Sequence, residues 1–374
     1  MTPKRSIMAD GPRDAPVLVL VNPPGMTAGT WDPQVGAFSA YFRVVRYEHR
    51  GHRGARAPDG PYTVDDLGTD LLGVADEVGA ERFSVVGLSL GAAVALWVAA
   101  KFPGRVERMV VASGLAYWPD KEVWRESARM ARRQGMSGVA VKLAERWFTA
   151  QFKVGRPEVC AEAAAMFEEV DAAGYAWCCE ALSEADLRHD VAFVAAPTLV
   201  LAGVDDPVVP VADAAALAEA IPGAVLQVVS PGAHLLNLEQ PDRFTSAALD
   251  HLVGTALDRG RAARRAVLGD AHVERSEQDA SALTAPFVDL ITRYAWGDIW
   301  SRARLDRRTR SCITLAMLVA LGRFDELELH LRAARRVGLS QDEIGEVLLQ
   351  SAVYCGVPAA NRAFAVAQRV LAET

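Results

Sequence analysis

Phe83-Ser84-Val85-Val86-Gly87-Leu88-Ser89-Leu90-Gly91-Ala92-Ala93-Val94 is the stretch on which the fold turns. Phe83–Gly87 is an apolar run of strand length, and Leu90–Phe102 continues as a helix rich in small residues. Between them lies Gly87-Leu88-Ser89-Leu90-Gly91. A Gly-X-Ser-X-Gly turn from strand to helix allows close backbone approach at the glycines and presents the serine Oγ at its apex. Working outward, further strand-length apolar runs stand at Val17–Val21, Phe42–Tyr47, Val106–Ala112, Pro197–Gly203 and Ala224–Val229. Helical spacing marks Val64–Val78, Val211–Ile221 and Pro241–Leu252. Strands that are apolar on both faces and alternate with helices predict a mostly parallel sheet covered on both sides.

A serine hydroxyl is a weak nucleophile and needs a base, which in turn needs a group to orient it. Gly203-Val204-Asp205-Asp206-Pro207 leaves the end of one strand, and Gly232-Ala233-His234 follows the next. Serine, acid and histidine in that order, each just past a strand, match the α/β-hydrolase arrangement. Asp205 and Asp206 compete for the acid's place; Asp206 is preferred because it stands third after the glycine and directly before proline in the turn. The remaining histidines have plainer readings. His49 and His52, in Glu48-His49-Arg50-Gly51-His52-Arg53-Gly54, hold their loop by hydrogen bonds; His251 is a surface or packing residue on a helix; His189 has no evident partner.

The 374 residues allow two or three domains. Lys plus Arg number 40 and Asp plus Glu 47, a formal charge of −7, which argues against a nucleic-acid protein because phosphate binding requires a basic surface. The five cysteines show no metal-ligand spacing, so a zinc site or disulfide framework is not expected and a reducing, cytoplasmic setting fits. The opening residues contain no apolar core of a leader peptide, and no run is long and apolar enough to cross a membrane. There is no GxGxxG after a strand, no HExxH and no phosphate-binding loop, so no cofactor or metal is expected. From about 115 to 192 amphipathic helical segments replace strands, a helical cap over the sheet. A boundary near 255 separates an α/β domain, 1–255, from an all-helical domain, 256–374. In the latter, Leu257-Asp258-Arg259-Gly260-Arg261-Ala262-Ala263-Arg264-Arg265-Ala266 reads as a linker or first helix. Helices are predicted at Leu283–Tyr294, Asp306–Leu321, Phe324–Val337, Gln341–Cys355 and Ala359–Leu371, with Ser340 and Glu343 forming a capping box.

Residues 1–255 resemble the 3-oxoadipate enol-lactonases, an α/β-hydrolase family. The shared pieces are the opening VLVLVNPPG with Trp31-Asp32-Pro33-Gln34, the HRGH loop, GLSLG, Arg146-Trp147-Phe148, the CCEA segment at 178–181, the AGxDDP turn and AHLLNLEQP at 233–241. The resemblance implies Ser89 as nucleophile, Asp206 as acid, His234 as base and the Leu90 N–H as one oxyanion-hole donor. The second donor falls, by distance to Trp31, at Pro24: the family commonly reads Asn-Ser-Leu-Gly where this chain has Asn22-Pro23-Pro24-Gly25. Proline has no N–H, so a hole short of one donor is expected unless the loop is shifted and Gly25 or Met26 donates instead. Arg53, where the loop usually has glycine, and Ala92, where a second glycine is usual, are smaller departures.

The last 110 or so residues closely resemble 4-carboxymuconolactone decarboxylase. The carrying segments are AVLGDAHVER (266–275), DLITRYAWGDIW (289–300), LDRRTRSCITLAML (305–318), ELHLRAA (328–334) and LLQSAVYCGVPAANRAFAVAQRVL (348–371). A related alkylhydroperoxidase-like family places a CxxC pair before a histidine; the corresponding positions here are Arg323 and Glu326, with His330 four residues after Glu326. Thiol chemistry is thereby replaced by a carboxylate and an imidazole on one helix face, close enough to hydrogen-bond as a proton relay. Loss of CO₂ leaves a carbanion conjugated with the lactone carbonyl, which asks for an acid, for cations that hold the substrate carboxylates and for donors at the enolate oxygen. His330 is the candidate acid, and Arg307, Arg308, Arg310 and Arg323 are candidate carboxylate clamps, not all of which serve. His272 and Tyr354 are weighed as lining residues against capping or core packing, while Trp296, Trp300, Cys312 and Cys355 read as core. Joined, the halves imply one bifunctional enzyme of lactone carboxylates: decarboxylation of 4-carboxymuconolactone to 3-oxoadipate enol-lactone, then opening to 3-oxoadipate. The alternative is an active decarboxylase whose hydrolase half is weakened by Pro24. The helical family's rings of three or six imply a homo-oligomer built through this half.

Overall fold

The computed structural model describes residues 6–55, 60–302 and 305–372. Positions 1–5, part of the opening stretch read for a leader, lie outside them. Two compact units are present, Met1–Leu252 and Val253–Thr374.

The first unit is built on a sheet of seven strands: β1 (Ile7–Asp10), β2 (Val17–Val21), β3 (Arg43–Tyr47), β4 (Phe83–Leu88), β5 (Val106–Ala112), β6 (Thr198–Gly203) and β7 (Val225–Val229). Their order is β1-β3-β2-β4-β5-β6-β7, with β1 antiparallel to β3 and every other pair parallel. The sheet is mostly parallel, as its apolar strands predict, and the central β4 is buried along its whole length. β1, which the sequence pattern does not single out, is a short, half-buried edge strand. The chain leaves β2 toward β3 on one side and returns to β4 on the other, so the carboxyl ends of β2 and β4 flank a crevice where loops converge. The helix Leu90–Lys101 is buried all round through Ala99, which is why its residues are small and apolar. Its first turn presses on β2: a Cβ at Gly91 would stand 2.1 Å from the Val21 carbonyl oxygen. The helical cap consists of Lys121–Trp147, bent at Gly135, then Ala150–Gly155, Pro157–Glu168 and Ala172–Glu184.

The second unit is all helix: Ala256–Leu268, Asp270–Gln278, Ala285–Ile291, a wide-turned segment Thr292–Trp300, then Arg307–Ala320, Phe324–Arg336, Gln341–Cys355 and Val357–Ala372. The basic stretch after residue 255 is a true helix, opened by a Thr255–Asp258 capping box, and it packs Ala263, Val267 and Leu268 against Trp296 and Ala333. The helix expected over Leu283–Tyr294 changes its winding at Thr292 instead of running through. Ser340 and Glu343 form the predicted capping box. Leu315, Val319, Leu327, Leu331, Ile344 and Leu348 make the main core, against which Cys312 and Cys355 pack only partly buried.

Candidate active site

The turn after β4 holds Ser89 at φ 54°, ψ −110°, a left-handed conformation that costs a non-glycine residue free energy. Glycines on either side make it possible; at Gly87 a Cβ would lie 2.2 Å from the Gly91 carbonyl oxygen. Ser89 serves as the residue before the helix, and its carbonyl accepts the Ala92 and Ala93 N–H groups. The Leu90 N–H, first in the helix, therefore has no carbonyl one turn behind it to donate to. Ala92 is accommodated because Gly114 faces its methyl group.

The turn after β6 brings in Asp206 and the turn after β7 brings in His234. His234 Nδ1 lies 3.0 Å from Asp206 Oδ2, and its Nε2 lies 3.2 Å from Ser89 Oγ. Ser89 is fully buried and the other two nearly so. Burial by itself would raise the Asp206 carboxyl, but His234 and the Val208 and Val209 N–H groups outweigh it and hold the carboxyl below its ordinary value. Asp205 faces elsewhere, accepting the Gly232 N–H at 3.1 Å, so only Asp206 joins the histidine.

The loop after β2 is pinned from below. His52 Nε2 accepts the Gly25 N–H at 3.0 Å while its Nδ1–H donates to the Arg50 carbonyl at 3.0 Å. Accepting at Nε2 requires the neutral ring, and burial lowers its pKa to about 3, helped by His49. His49 meets the Asn22 carbonyl at 2.9 Å, and Glu48 accepts the Ala28 N–H through both oxygens. Met26 N–H turns back toward the Pro23 carbonyl at 3.4 Å. Pro23 and Pro24 have no N–H to give. The Gly25 N–H, which a one-residue shift of the loop would offer to the crevice, is accepted by His52 here. Arg53 has φ 35°, consistent with the glycine usual there, and it pairs with Glu169 across 3.4 Å.

Beside His234 the cap closes a cavity of about 350 Å³ whose lining includes Pro24, Trp118, Arg146, Trp147, Tyr175 and His234. A buried serine in hydrogen-bonding sequence with a histidine and a carboxylate, on loops at the carboxyl ends of a parallel sheet, matches the arrangement of serine hydrolases of the α/β type. The chain belongs to the alpha/beta hydrolase family, whose model matches residues 18–247, and its residues 285–369 match the carboxymuconolactone decarboxylase family.

More particularly, the hydrolase unit is 36% identical over 237 residues to 3-oxoadipate enol-lactonase 2 of Acinetobacter baylyi, covering 63% of this chain and 88% of that protein. The crystal structure of the enol-lactonase from Burkholderia xenovorans superposes with a TM-score of 0.65 at 38% identity, over 66% of this chain and 96% of that one. The helical unit is 45% identical over 111 residues to 4-carboxymuconolactone decarboxylase of A. baylyi, covering 30% of this chain and 83% of that protein. The chain thus joins an enol-lactonase-like hydrolase domain to a carboxymuconolactone decarboxylase domain.

In the helical unit the structure corrects the expected site. Glu326 and His330 share a helix, but no hydrogen bond joins them: Glu326 is exposed, and His330 Nδ1 is buried without a partner. His330 stacks on Trp300 at 6.4 Å; Trp296 is core and Trp300 packs against the same cluster, partly buried, as expected. The His330 pKa is lowered by burial and by His272, with Glu326 opposing weakly. The four arginines do not converge. Arg308 donates to the Gly338 carbonyl at 2.7 Å and pairs with Glu343; Arg310 donates to the Leu305 and Arg302 carbonyls at 3.1 and 3.2 Å. Arg307 is exposed at the start of its helix, and Arg323 is exposed where the next helix begins, roughly 20 Å away by the rise of the intervening helix. Tyr354 is 81% exposed, so it is not a core residue.

A different cationic group surrounds His272. It lines a cleft of about 550 Å³ with Arg275, Leu329, Arg332 and Arg336. Burial lowers its pKa, and Arg264, Arg275 and Arg336 lower it further. Arg264 is only 5% exposed, donates to the Ser276 hydroxyl at 2.8 Å and leaves Nε unpaired. The sequence reading passes over Arg264, Arg275 and Arg336; the available signal is Arg264 just before AVLGDAHVER, Arg275 at its end, three residues after His272, and Arg336 at the end of the His330 helix.

Proposed function

We propose that the chain is a bifunctional enzyme of lactone carboxylates. One unit decarboxylates 4-carboxymuconolactone to 3-oxoadipate enol-lactone; the other hydrolyses that lactone to 3-oxoadipate. The hydrogen-bonded sequence Ser89–His234–Asp206 beneath the cap cavity carries the hydrolytic half of this reading. Ser89 Oγ gives its proton to His234 Nε2 as it attacks the lactone carbonyl, and Asp206 stabilises the imidazolium that forms. The Leu90 N–H stabilises the oxyanion. His234 then returns the proton to the departing enolate, and water repeats the cycle on the acyl-enzyme.

In the decarboxylase unit His330 delivers a proton to the carbanion left by CO₂, with Glu326 acting on it only through its field. The substrate carboxylates are held by the arginines around His272, in the first place Arg275 and Arg336, which line its cleft, in preference to Arg308, which is already paired with Glu343. No Lewis acid is required, because the lactone carbonyl itself takes up the carbanion's charge.

The loop geometry favours a second, narrower form of the same reading. With Pro24 lacking an N–H and the Gly25 N–H committed to His52, hydrolysis runs on a hole with one firm donor and is the slower step. The deciding experiment supplies purified protein with 4-carboxymuconolactone and separates products over time. Enol-lactone that builds up and then gives way to 3-oxoadipate is expected. Neither product, or enol-lactone that persists unchanged, would refute the bifunctional reading.

A further inference from the structure

The cap cavity contains hydrogen-bond donors that nothing in the protein uses. Arg146, near the end of the cap helix Lys121–Trp147, lines it together with His234, is half-buried, and has neither hydrogen bond nor ion pair among the described residues. The Trp118 indole N–H lines the same cavity, buried and without an acceptor. The fully buried Tyr175 hydroxyl lines the cavity too, with Ser127 and Cys179 as its polar neighbours. Apart from the Tyr175 hydroxyl, which can donate or accept, no lining side chain among the described residues carries a buried acceptor lacking its donor. Its two carboxylates, Asp120 and Asp213, are solvent-exposed, and Asp120 already accepts the Val123 N–H. The rest of the wall is mainly apolar: proline, leucine, valine and tryptophan. An unpaired, half-buried guanidinium is costly unless a ligand supplies the counter-charge, and its planar fork fits a carboxylate through two parallel hydrogen bonds.

We propose that Arg146 is the specificity anchor of the hydrolase cavity, pairing with a free carboxylate on the acyl side of the ester or lactone that Ser89 attacks. This rests on the reading of Ser89 as the nucleophile. It makes the cavity selective for anionic acyl groups over neutral ones of equal length, with the Trp118 and Tyr175 donors completing the acceptor-binding wall. The contact is remote from the reacting carbonyl and is present equally in ground and transition states, so it acts on KM and leaves kcat alone.

The test uses the full chain with two esters of one leaving group: mono-4-nitrophenyl glutarate, which ends in a carboxylate, and the neutral 4-nitrophenyl pentanoate. The unaltered protein is expected to favour the glutarate in kcat/KM by about tenfold or more, the discrimination typical of a charge-assisted pair. Arg146→Gln should remove that preference by raising KM for the glutarate ester alone, and Arg146→Lys should keep part of it. Ser89→Ala, which does not turn over, allows the same contrast to be read as equilibrium binding by calorimetry if hydrolysis is slow. No preference in either assay, or an Arg146→Gln effect that is equal on both esters, would overturn the proposal. A preference that collapses in Arg146→Gln while the enol-lactone itself is untouched would leave the anchor standing and remove the particular substrate proposed above.

Discussion

Replacing Pro24 by leucine puts back one N–H at the mouth of the hydrolase cavity, and the consequence can be worked from the loop. In the present chain Pro23 and Pro24 offer none, the Gly25 N–H is accepted by His52 Nε2 at 3.0 Å, and the Met26 N–H is directed at the Pro23 carbonyl at 3.4 Å. On the function proposed above, Leu90 is then the single firm donor to the oxyanion. Removing one oxyanion-hole donor typically costs about 10²–10³ in kcat, roughly 2.7–4 kcal/mol. The enol-lactone is an activated ester, so some turnover survives that loss. Leucine tolerates the φ that proline fixes, and His52, Glu48 and His49 hold the flanking residues in place whatever stands at position 24. Pro24→Leu should therefore raise kcat on the enol-lactone by at least about tenfold, a conservative fraction of that range. Pro24→Ala should gain comparably, because the N–H and not the side chain is at issue. The assay is single-turnover and steady-state loss of enol-lactone absorbance, with CO₂ release from 4-carboxymuconolactone as the internal control that should not move. Fast hydrolysis by the unaltered protein with no gain in either variant would refute the reasoning and mean that Met26 swings its N–H into the hole on substrate binding.

Three further outcomes follow from the same geometry. Ser89→Ala should abolish lactone opening while CO₂ release continues, and His330→Ala should do the reverse; loss of both activities from either change in a folded protein contradicts two independent sites. His52 is held near pKa 3 against an ordinary 6.5, so the native state binds fewer protons than the unfolded one between those values. Its contribution is whole above about 6.5 and is lost toward 3, about 2 kcal/mol by pH 5. His52→Gln, which keeps an acceptor for Gly25 and does not titrate, should lose correspondingly less stability between pH 7 and 5 in urea titrations of the hydrolase transition, and an unchanged slope would exclude His52 as the source. The helical unit leaves Leu283, Phe287, Leu290, Tyr294, Leu321 and Val353 more than half exposed, so the full chain should run as a trimer or larger in sizing with light scattering, whereas a strictly monomeric chain with full decarboxylase activity would contradict assembly through this half.

The residues of the hydrolase site were legible because each sits where a strand ends and a turn begins, and turn chemistry is local. Gly87 and Gly91 around Ser89, Asp206 before Pro207, and His234 after β7 are each specified within a few residues, and the parallel sheet does the rest by placing all those strand ends on one edge. What escaped the sequence depends on pairs far apart in the chain. Whether Gly25 offers its N–H is decided by His52, 27 residues on; whether Arg308 is free is decided by Gly338 and Glu343, 30 and 35 residues on. The helical unit shows why the second kind of question has no local answer. Its basic residues are many, and any of them has the right chemistry for a carboxylate. A guanidinium, however, carries five donors, and the fold uses those of Arg308 and Arg310 to tie loops to helix ends. What distinguishes a binding arginine is a charge taken out of water without a counter-charge, since such a group costs the fold stability and persists where a ligand offsets it. Arg264, buried beside His272 with one hydroxyl as its hydrogen-bond partner and only the field of Glu277 to oppose its charge, comes nearer to that condition than Arg307, which is exposed to solvent.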